Sequence, residues 1–399
     1  MSEIEKLAAQ GYRTYAFAYR TVGSEALKYD MEDAERELVF LGLLGIIDPP
    51  REGVKEAVEA AKRAGIKVVM VTGDHKLTAV AIAKMIGLEV NEDSVIDGAT
   101  LDRMSDDELY RIVDKITVYA RVTPGHKARI VKALKRRGYT VAMTGDGVND
   151  APALKIADIG VAMGIRGTDV AKETSQLILL DDNFTTLVDA VRTGRVIYEN
   201  LKKPINYLLS CNMGEIVTVF GGAILGGIKV LNPVQLLWIN LTTDALPAAA
   251  LGVEPPEPGI MDRPPRGKED RLITNRKIVY YTVMGLIIGI LTLTLFFNFL
   301  DYGLKFASTV AFTAIAFSEF GRAFANRSER LPAWKLPNNK WIWPAIAISA
   351  LLQLMAINPP LNSLFNTVQL PLHALLITLI VPIAVYIVDE VRKILGIRI

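Results

Sequence analysis

Two carboxylates, Asp146 and Asp150, stand four residues apart in the Gly-rich turn TGDGVNDAPAL, directly after the apolar run Thr140–Met143. At the carboxyl end of a buried strand, such a turn offers oxygen ligands to Mg²⁺ beside a phosphate. A second apolar run, KVVMVTGD, ends the same way at Thr72, Gly73 and Asp74, and Lys127 opens a helical run after ITVYARV, where it can reach the same edge. A hydroxyl, a lysine and paired carboxylates converging on one crevice are what a phosphoryl group and its metal require. TGD alone is a common turn, but TGDGVNDAPAL followed by a strand with GVAMG is far more specific.

A second set of acids lies in apolar surroundings. Glu215, Asp244 and Glu319 each stand alone in a membrane-length apolar segment. A carboxylate there costs roughly 2.5 to 3.5 kcal/mol on insertion scales unless it is paired or lines a pathway. Asn240, Thr243 and Asp244 are spaced i, i+3, i+4 and share a helix face, and Asn212 and Glu215 are spaced i, i+3 on the preceding segment. Pro233 and Pro247 flank the first group, and proline within a membrane helix frees carbonyls for a cation. The donors are all oxygen, which suits a hard cation such as Ca²⁺, with Mn²⁺ also accommodated; Cu⁺ or Zn²⁺ would want thiolate or imidazole.

The elements that must position these groups follow from the pattern. Residues 40–184 alternate β-rich runs (FLGLLGIID, KVVMVTGD, ITVYARV, TVAMTGD, IGVAMG, LILLDDN) with helical ones. This order predicts an α/β unit with a doubly wound parallel sheet and functional groups at the strands' carboxyl ends. Beyond Ile205 the chain reads as a membrane α-helical bundle of six spans: Ile205–Ile228, Leu231–Val253, Ile278–Leu300, Phe306–Ala325, Trp341–Ile357 and Thr367–Val388. A hydrophobic share of 51% with 22% charged residues fits such a segregated chain. The net charge of +2 gives no reason for a nucleic-acid partner, and the single cysteine, Cys211, excludes a disulfide framework. The opening MSEIEKLAAQGYR has no apolar core and does not read as a signal peptide. Arg263, Arg266, Lys268, Arg271, Arg276 and Lys277 fall in one inter-span loop, and Arg322, Arg327, Arg330, Lys335 and Lys340 in or beside another. The opposite side carries Lys229 and Lys305. This asymmetry predicts that the α/β unit is cytoplasmic. Arg322, one turn after Glu319 and near its helix end, is expected at the cytoplasmic interface, and the segment near Asp301 is too short for a large outer loop.

The motifs DPPR (Asp48–Arg51), VTGDH (Val71–His75), ARVTPGHK (Ala120–Lys127), TGDGVNDAPALK (Thr144–Lys155), NMGE (Asn212–Glu215), LLWINLTTDALPAAALG and MDRPPR resemble the C-terminal part of a P-type cation-transporting ATPase of the calcium-pump branch. The resemblance covers nearly the whole chain. It implies a haloacid-dehalogenase-like phosphorylation domain at 40–203, a remnant of a nucleotide-binding domain at 1–39, and a transmembrane domain at 204–399 equivalent to the family's last six helices. It also implies ATP hydrolysis through an aspartyl-phosphate, coupled to cation transport. By matching position, Asp146 with Asp150 would hold Mg²⁺, and Asn149 with Asp150 would complete the catalytic edge. Thr72, Gly73, Asp74 and Lys127 would serve the phosphoryl group. Arg13 and Arg121 resemble nucleotide-contacting arginines. Asn212, Glu215, Asn240, Thr243, Asp244 and Glu319 fall on calcium-ligand positions.

One departure decides what the chain does by itself. The family's DKTGT motif, whose aspartate is phosphorylated, does not occur; Asp114–Thr117 reads DKIT but enters a strand after the TGD motif, whereas DKTGT precedes it. Two readings follow. Either the chain works with an N-terminal half, in cis or in trans, as a lipid-embedded Ca²⁺ pump using Mg²⁺ and ATP, or it is a non-catalytic remnant or regulatory membrane protein.

Overall fold

The computed structural model describes residues 2–21, 35–267 and 270–397. Lys268, counted above among the loop cations, lies outside the described residues, as does part of the predicted nucleotide-domain remnant. The chain packs as two units, Met1–Val191 with Met261–Pro265, and Arg192–Ile260 with Arg266–Ile399. The packing boundary thus falls before the residue 203/204 boundary read from the motifs.

In the first unit, α1 (Ser2–Ala9) leads into an antiparallel pair, β1 (Arg13–Tyr19) and β2 (Val39–Ile46). FLGLLGIID was expected in the parallel sheet. Instead its residues pair with the alternating RTYAFAY run, in register from Arg13 opposite Ile46. An apolar run is compatible with either partner, and only the long-range pairing decides.

The rest of the unit is parallel α/β. After α2 (Val54–Arg63) come β3 (Met70–Val71), α3 (Lys76–Met85), β4 (Val95–Asp97), α4 (Gly98–Arg103), α5 (Asp106–Ile112) and β5 (Val118–Ala120). Then follow α6 (Pro124–Arg136), β6 (Ala142–Gly145), α7 (Ala151–Ile156), β7 (Ile159–Met163), α8 (Asp169–Thr174) and β8 (Leu177–Leu179). One doubly wound sheet was expected; the strands form two three-stranded parallel sheets, ordered β3-β5-β4 and β6-β7-β8. In each, the middle strand is the buried one: Val118, Tyr119 and Ala120 are fully enclosed, as are Val161 and Ala162. β3 and β6 are edges.

Local sequence explains where the helices start. Thr123 caps α6, accepting from His126 N–H, Pro124 occupies the first turn, where its missing N–H costs nothing, and His126 Nδ1 accepts from Thr123 N–H at 3.1 Å. Asp97 caps α4 by accepting the Thr100 N–H at 2.9 Å, and these hydrogen bonds hold its carboxyl below the usual range. The DKIT segment is structural. Burial pushes the Asp114 carboxyl up, yet bonds from Arg137 and Tyr139 bring it net below the usual range.

The second unit is helical: α9 (Phe184–Gly226), α10 (Pro233–Trp238), α11 (Ala245–Gly252), α12 (Asn275–Asn298), α13 (Leu304–Ala325), α14 (Ile342–Ala356), α15 (Asn362–Phe365), α16 (Leu372–Thr378) and α17 (Ile380–Ile394). Helix α9 begins in the first unit and runs on through Pro204. Of the six expected spans, three form helices long and apolar enough to cross a membrane: Phe184–Gly226, Asn275–Asn298 and Leu372–Ile394, the last comprising α16 and α17. The expected span Leu231–Val253 is divided by a π-helical turn at Ile239–Thr243. Helix α13 is long, but Thr309, Thr313, Ser318, Glu319 and Arg322 make it polar, and its neighbours bury nearly all of it. α14 has 15 residues. A 3₁₀ turn at Leu300–Tyr302 joins α12 to α13, consistent with the short connection expected near Asp301.

Glycines let these helices approach closely. A Cβ on Gly289 of α12 would lie 2.3 Å from Val217 of α9, and one on Gly321 of α13 would lie 2.3 Å from the Pro382 carbonyl of α17. In the first unit, a Cβ on Gly98 would lie 2.2 Å from the Arg121 carbonyl oxygen. Gly98→Ala is therefore expected to destabilise the β3-β5-β4 sheet by about 1 to 3 kcal/mol, read as faster amide exchange across Val118–Ala120. Unchanged exchange would contradict this packing.

Candidate functional site

The first unit gathers polar groups at the carboxyl ends of two edge strands, β3 and β6. Beyond β3, Thr72 Oγ1 donates to Asp74 Oδ2 at 3.0 Å and accepts from Asp74 N–H at 3.1 Å, a closed Thr–Asp turn. The Arg121 N–H donates to the Asp74 carbonyl at 3.0 Å, and that of Val122 to the Thr72 carbonyl at 3.2 Å, fixing the loop to the strand after β5. Arg121 itself adopts φ 48°, and its side chain is exposed. Arg13, on β1, ion-pairs with Asp74.

Beyond β6, Asp150 is buried with both carboxylate oxygens engaged. Oδ1 accepts from Lys127 Nζ at 2.5 Å; Oδ2 accepts from the Asp146 and Gly147 N–H groups at 3.2 and 3.3 Å. A Cβ on Gly145 would fall 2.5 Å from that of Asp150, so glycine is required for the turn to fold over this carboxylate. Asp146 and Asn149 are exposed. The turn thus divides the work: Asp150 shapes it, and Asp146 presents a carboxylate outward. Lys127, Asp146 and Asp150 are brought together, as are Thr72, Asp74 and Arg13. Hard oxygen donors of this kind fit Mg²⁺. The DPPR arginine, Arg51, instead donates to the carbonyls of Asp181 and Asp182 at 2.9 and 2.8 Å.

The second unit holds the other constellation. Glu215 on α9, Asp244 after the π turn and Glu319 on α13 are all buried, and one carboxylate oxygen from each lies within 4.8 Å of the others. Asn240 Nδ2 donates to both Glu215 oxygens, at 3.2 and 2.9 Å, while Tyr207 Oη donates to Asp244 Oδ1 at 2.8 Å. At this cluster, among the described residues, Asp244 Oδ2, both Glu319 oxygens and Asn212 Oδ1 are buried without a hydrogen-bond partner. Orphaned buried acceptors are costly, and a cation satisfies several at once. Thr243 is buried and donates to the Ile239 carbonyl at 3.1 Å, back across the π turn.

Two features escaped the sequence. Tyr207 carries the hydroxyl that fixes Asp244; its place eight residues before Glu215, two helical turns away on one face, is the signal that could have found it. Arg322, expected at an interface, is instead fully buried, because Ser210 Oγ accepts from its Nε at 3.1 Å and its Nη2 at 2.9 Å and the Tyr280 ring lies 5.3 Å below it. Its Nε and Nη2 are committed to Ser210 on α9 and its plane faces Tyr280 on α12, while Nη1 is buried without a hydrogen-bond partner.

A parallel α/β unit followed by a helical unit with buried acids is the architecture that the motifs' resemblance implies. Family comparison agrees: residues 4–158 match the haloacid dehalogenase-like hydrolases and residues 228–395 the C-terminus of cation transporting ATPases. The chain belongs to the cation-transporting ATPases and corresponds to their C-terminal part. Among curated relatives, it is 41% identical to calcium-transporting ATPase 1 of Bacillus cereus over 97% of this chain and 46% of the relative. It is 45% identical to a calcium-transporting ATPase of Bacillus subtilis over 92% and 42%, and 39% identical to calcium-transporting ATPase 1 of Saccharomyces cerevisiae over 97% and 42%. The chain thus spans a little under half the length of the relatives it matches.

The Lys127–Asp150 contact yields a direct test. Lys127→Ala strands a buried carboxylate, so loss of stability of about 3 to 5 kcal/mol is expected in the β6-β7-β8 sheet by amide exchange. Adding Asp150→Asn should recover part of it. Additive losses in the double variant would show that the two groups are not coupled.

Proposed function

We propose that the chain is the C-terminal part of an ATP-driven Ca²⁺ pump and works with an N-terminal half that brings the phosphorylated aspartate. The observation that carries the reading is the buried triad Glu215, Asp244 and Glu319 with its unpartnered oxygens. A hard divalent cation is the cargo that an all-oxygen, multiply anionic pocket selects. Asn212, Asn240 and Thr243 supply further oxygen on the same helices. The relatives are calcium-transporting ATPases, which favours Ca²⁺ over Mn²⁺.

In the first unit, Thr72 and Gly73 with the Lys127 ammonium would hold the phosphoryl group; one Lys127 contact is to Asp150, leaving donors for a phosphate oxygen. Asp146 would hold Mg²⁺, with Asp150 positioning the turn and Asn149 beside it. When bound, the metal would neutralise phosphate charge. Arg13 and Arg121 are proposed to meet nucleotide phosphates, Arg13 by exchanging its Asp74 partner. We place this unit on the cytoplasmic side of the bilayer on the strength of the basic loops around Arg263–Lys277 and Arg327–Lys340. The domain limits 1–39, 40–203 and 204–399 follow from the motifs.

The chain has no DKTGT acceptor. Incubated alone with [γ-³²P]ATP, it is expected to form no hydroxylamine-sensitive phosphoenzyme. Co-expressed with a DKTGT-bearing N-terminal half of a relative, it should support ATP-dependent ⁴⁵Ca²⁺ uptake into vesicles, and Glu319→Gln should weaken Ca²⁺ dependence roughly tenfold or more, equivalent to about 1.4 kcal/mol. Folded halves without uptake, or unaltered Ca²⁺ dependence in the variant, would overturn the proposal.

A further inference from the structure

Helix α6 has two working faces, and each faces a different sheet. His126, Ile130 and Ala133, spaced i, i+4, i+7, are buried, with Ile130 and Ala133 in the cluster that holds Tyr119 of β5. Lys127, Val131 and Lys135 form the second face. Val131 packs with Val141, Ala153 and Ala157, while Lys127 meets Asp150 at 2.5 Å and Lys135 meets Asp158 at 3.1 Å. The rotation of α6 about its own axis therefore decides where the Lys127 ammonium stands.

The first turn has one grip on that rotation. From Thr123 to His126, only His126 is buried. Its ring is held at both nitrogens. Nδ1 accepts from the Thr123 N–H at 3.1 Å, so it carries no proton; Nε2 stands 2.7 Å from Asp102 Oδ1, and because a carboxylate only accepts, Nε2 bears the hydrogen and donates it. These partners assign one neutral tautomer. Asp102 lies on α4, whose first residue, Gly98, leaves room for the ring: a Cβ there would lie 3.3 Å from His126 Cε1. Arg129, one turn further along α6, grips the end of α4, its Nη1 and Nη2 donating to the Leu101 and Met104 carbonyls at 2.9 and 2.7 Å.

We propose that His126 and Asp102 are positioning residues that set the azimuth of the first turn of α6, and with it the reach of Lys127 to the phosphoryl group. Imidazole suits the task because its two nitrogens serve the helix cap and the sideways tie at once. A glutamine at this place in a capping box serves the cap alone. A rotation of about 10° carries a group about 6 Å from the helix axis through about 1 Å, and a displacement of about 1 Å at a reacting group can cost about 100-fold in rate. A tie to α4, on the side of β3-β5-β4, thus governs a lysine that works at the β6 turn. This deepens the reading that Lys127 serves the phosphoryl group, and rests on it.

The Asp102 side chain is 70% exposed, so Asp102→Ala is expected to fold. In the full chain in detergent micelles, selective ¹⁵N labelling of histidine should show the His126 ring unprotonated at Nδ1 and protonated at Nε2; the opposite tautomer overturns the proposal. In the same chain, Asp102→Ala should speed amide exchange at Asp146 and Gly147, which donate to Asp150 Oδ2, about threefold or more. A purely local role would move the amides of α4 and leave these two unchanged, and that result overturns the proposal as well. With the co-expressed N-terminal half, Asp102→Ala should lower kcat for ATP-dependent uptake about tenfold at unchanged KM for ATP, and Asp102→Asn, which keeps the accepting oxygen, should restore most of it. His126→Gln keeps the bond from Thr123 N–H and loses the tie, so it should match Asp102→Ala, with the double variant no worse than either. Equal impairment by Asp102→Ala and Asp102→Asn contradicts a positioning role. The outcomes separate from those of the pump reading. Wild-type halves without uptake, with exchange at Asp146 and Gly147 responding, sink the pump alone; uptake that Asp102→Ala leaves unchanged sinks the positioning role alone.

Discussion

Three carboxylates held together away from water are the constraint from which the helical unit is organised. Each costs several kcal/mol if ionised and unpaired, and their mutual repulsion adds to this. The unit meets part of the cost with Tyr207 on Asp244 and Asn240 on Glu215. It leaves Glu319 without a hydrogen bond and Asp244 with one oxygen unmet. That incomplete satisfaction argues for a cation rather than for a structural cluster, because structural networks are normally closed. The π turn at Ile239–Thr243 belongs to the same arrangement: it is where Asn240, Thr243 and Asp244 are displayed, and π turns within helices are frequent at functional sites.

Close helix contacts keep the acids in place. Gly289 against Val217 and Gly321 against Pro382 bring α12 and α17 onto the helices that carry Glu215 and Glu319. Arg322 acts in the same sense. Buried one turn from Glu319, it spends its hydrogen bonds on Ser210 and so ties α13 to α9. In the α/β unit the corresponding anchor is Asp150, whose two oxygens bind Lys127 and the turn's backbone, leaving the Asp146 carboxylate facing outward.

What could be read from the sequence was local. The TGD and TGDGVND turns do lie at carboxyl ends of parallel strands because apolar runs followed by Gly and Asp have few alternatives. The TPGHK start of α6 followed from capping rules; the i, i+3, i+4 spacing expected Asn240, Thr243 and Asp244 on one α-helical face, but the turn there is π-helical, with Thr243 and Asp244 buried and Asn240 exposed. What could not be read was pairing at distance. FLGLLGIID has no feature that distinguishes a parallel from an antiparallel partner. A long arginine near a helix end ordinarily reaches solvent, and only the presence of Ser210 and Tyr280 on neighbouring helices explains why Arg322 does not. Helix α13 is another such case: its central position depends on the helices that surround it, not on its own hydropathy.

The central claim is that Glu215, Asp244 and Glu319 form a Ca²⁺ site. Its most direct test is a structure of the chain solved in Ca²⁺ with anomalous scattering data. A calcium peak in contact with oxygens of all three residues is the result the account predicts; carboxylates that bond one another or water, with calcium bound elsewhere or nowhere, would contradict it.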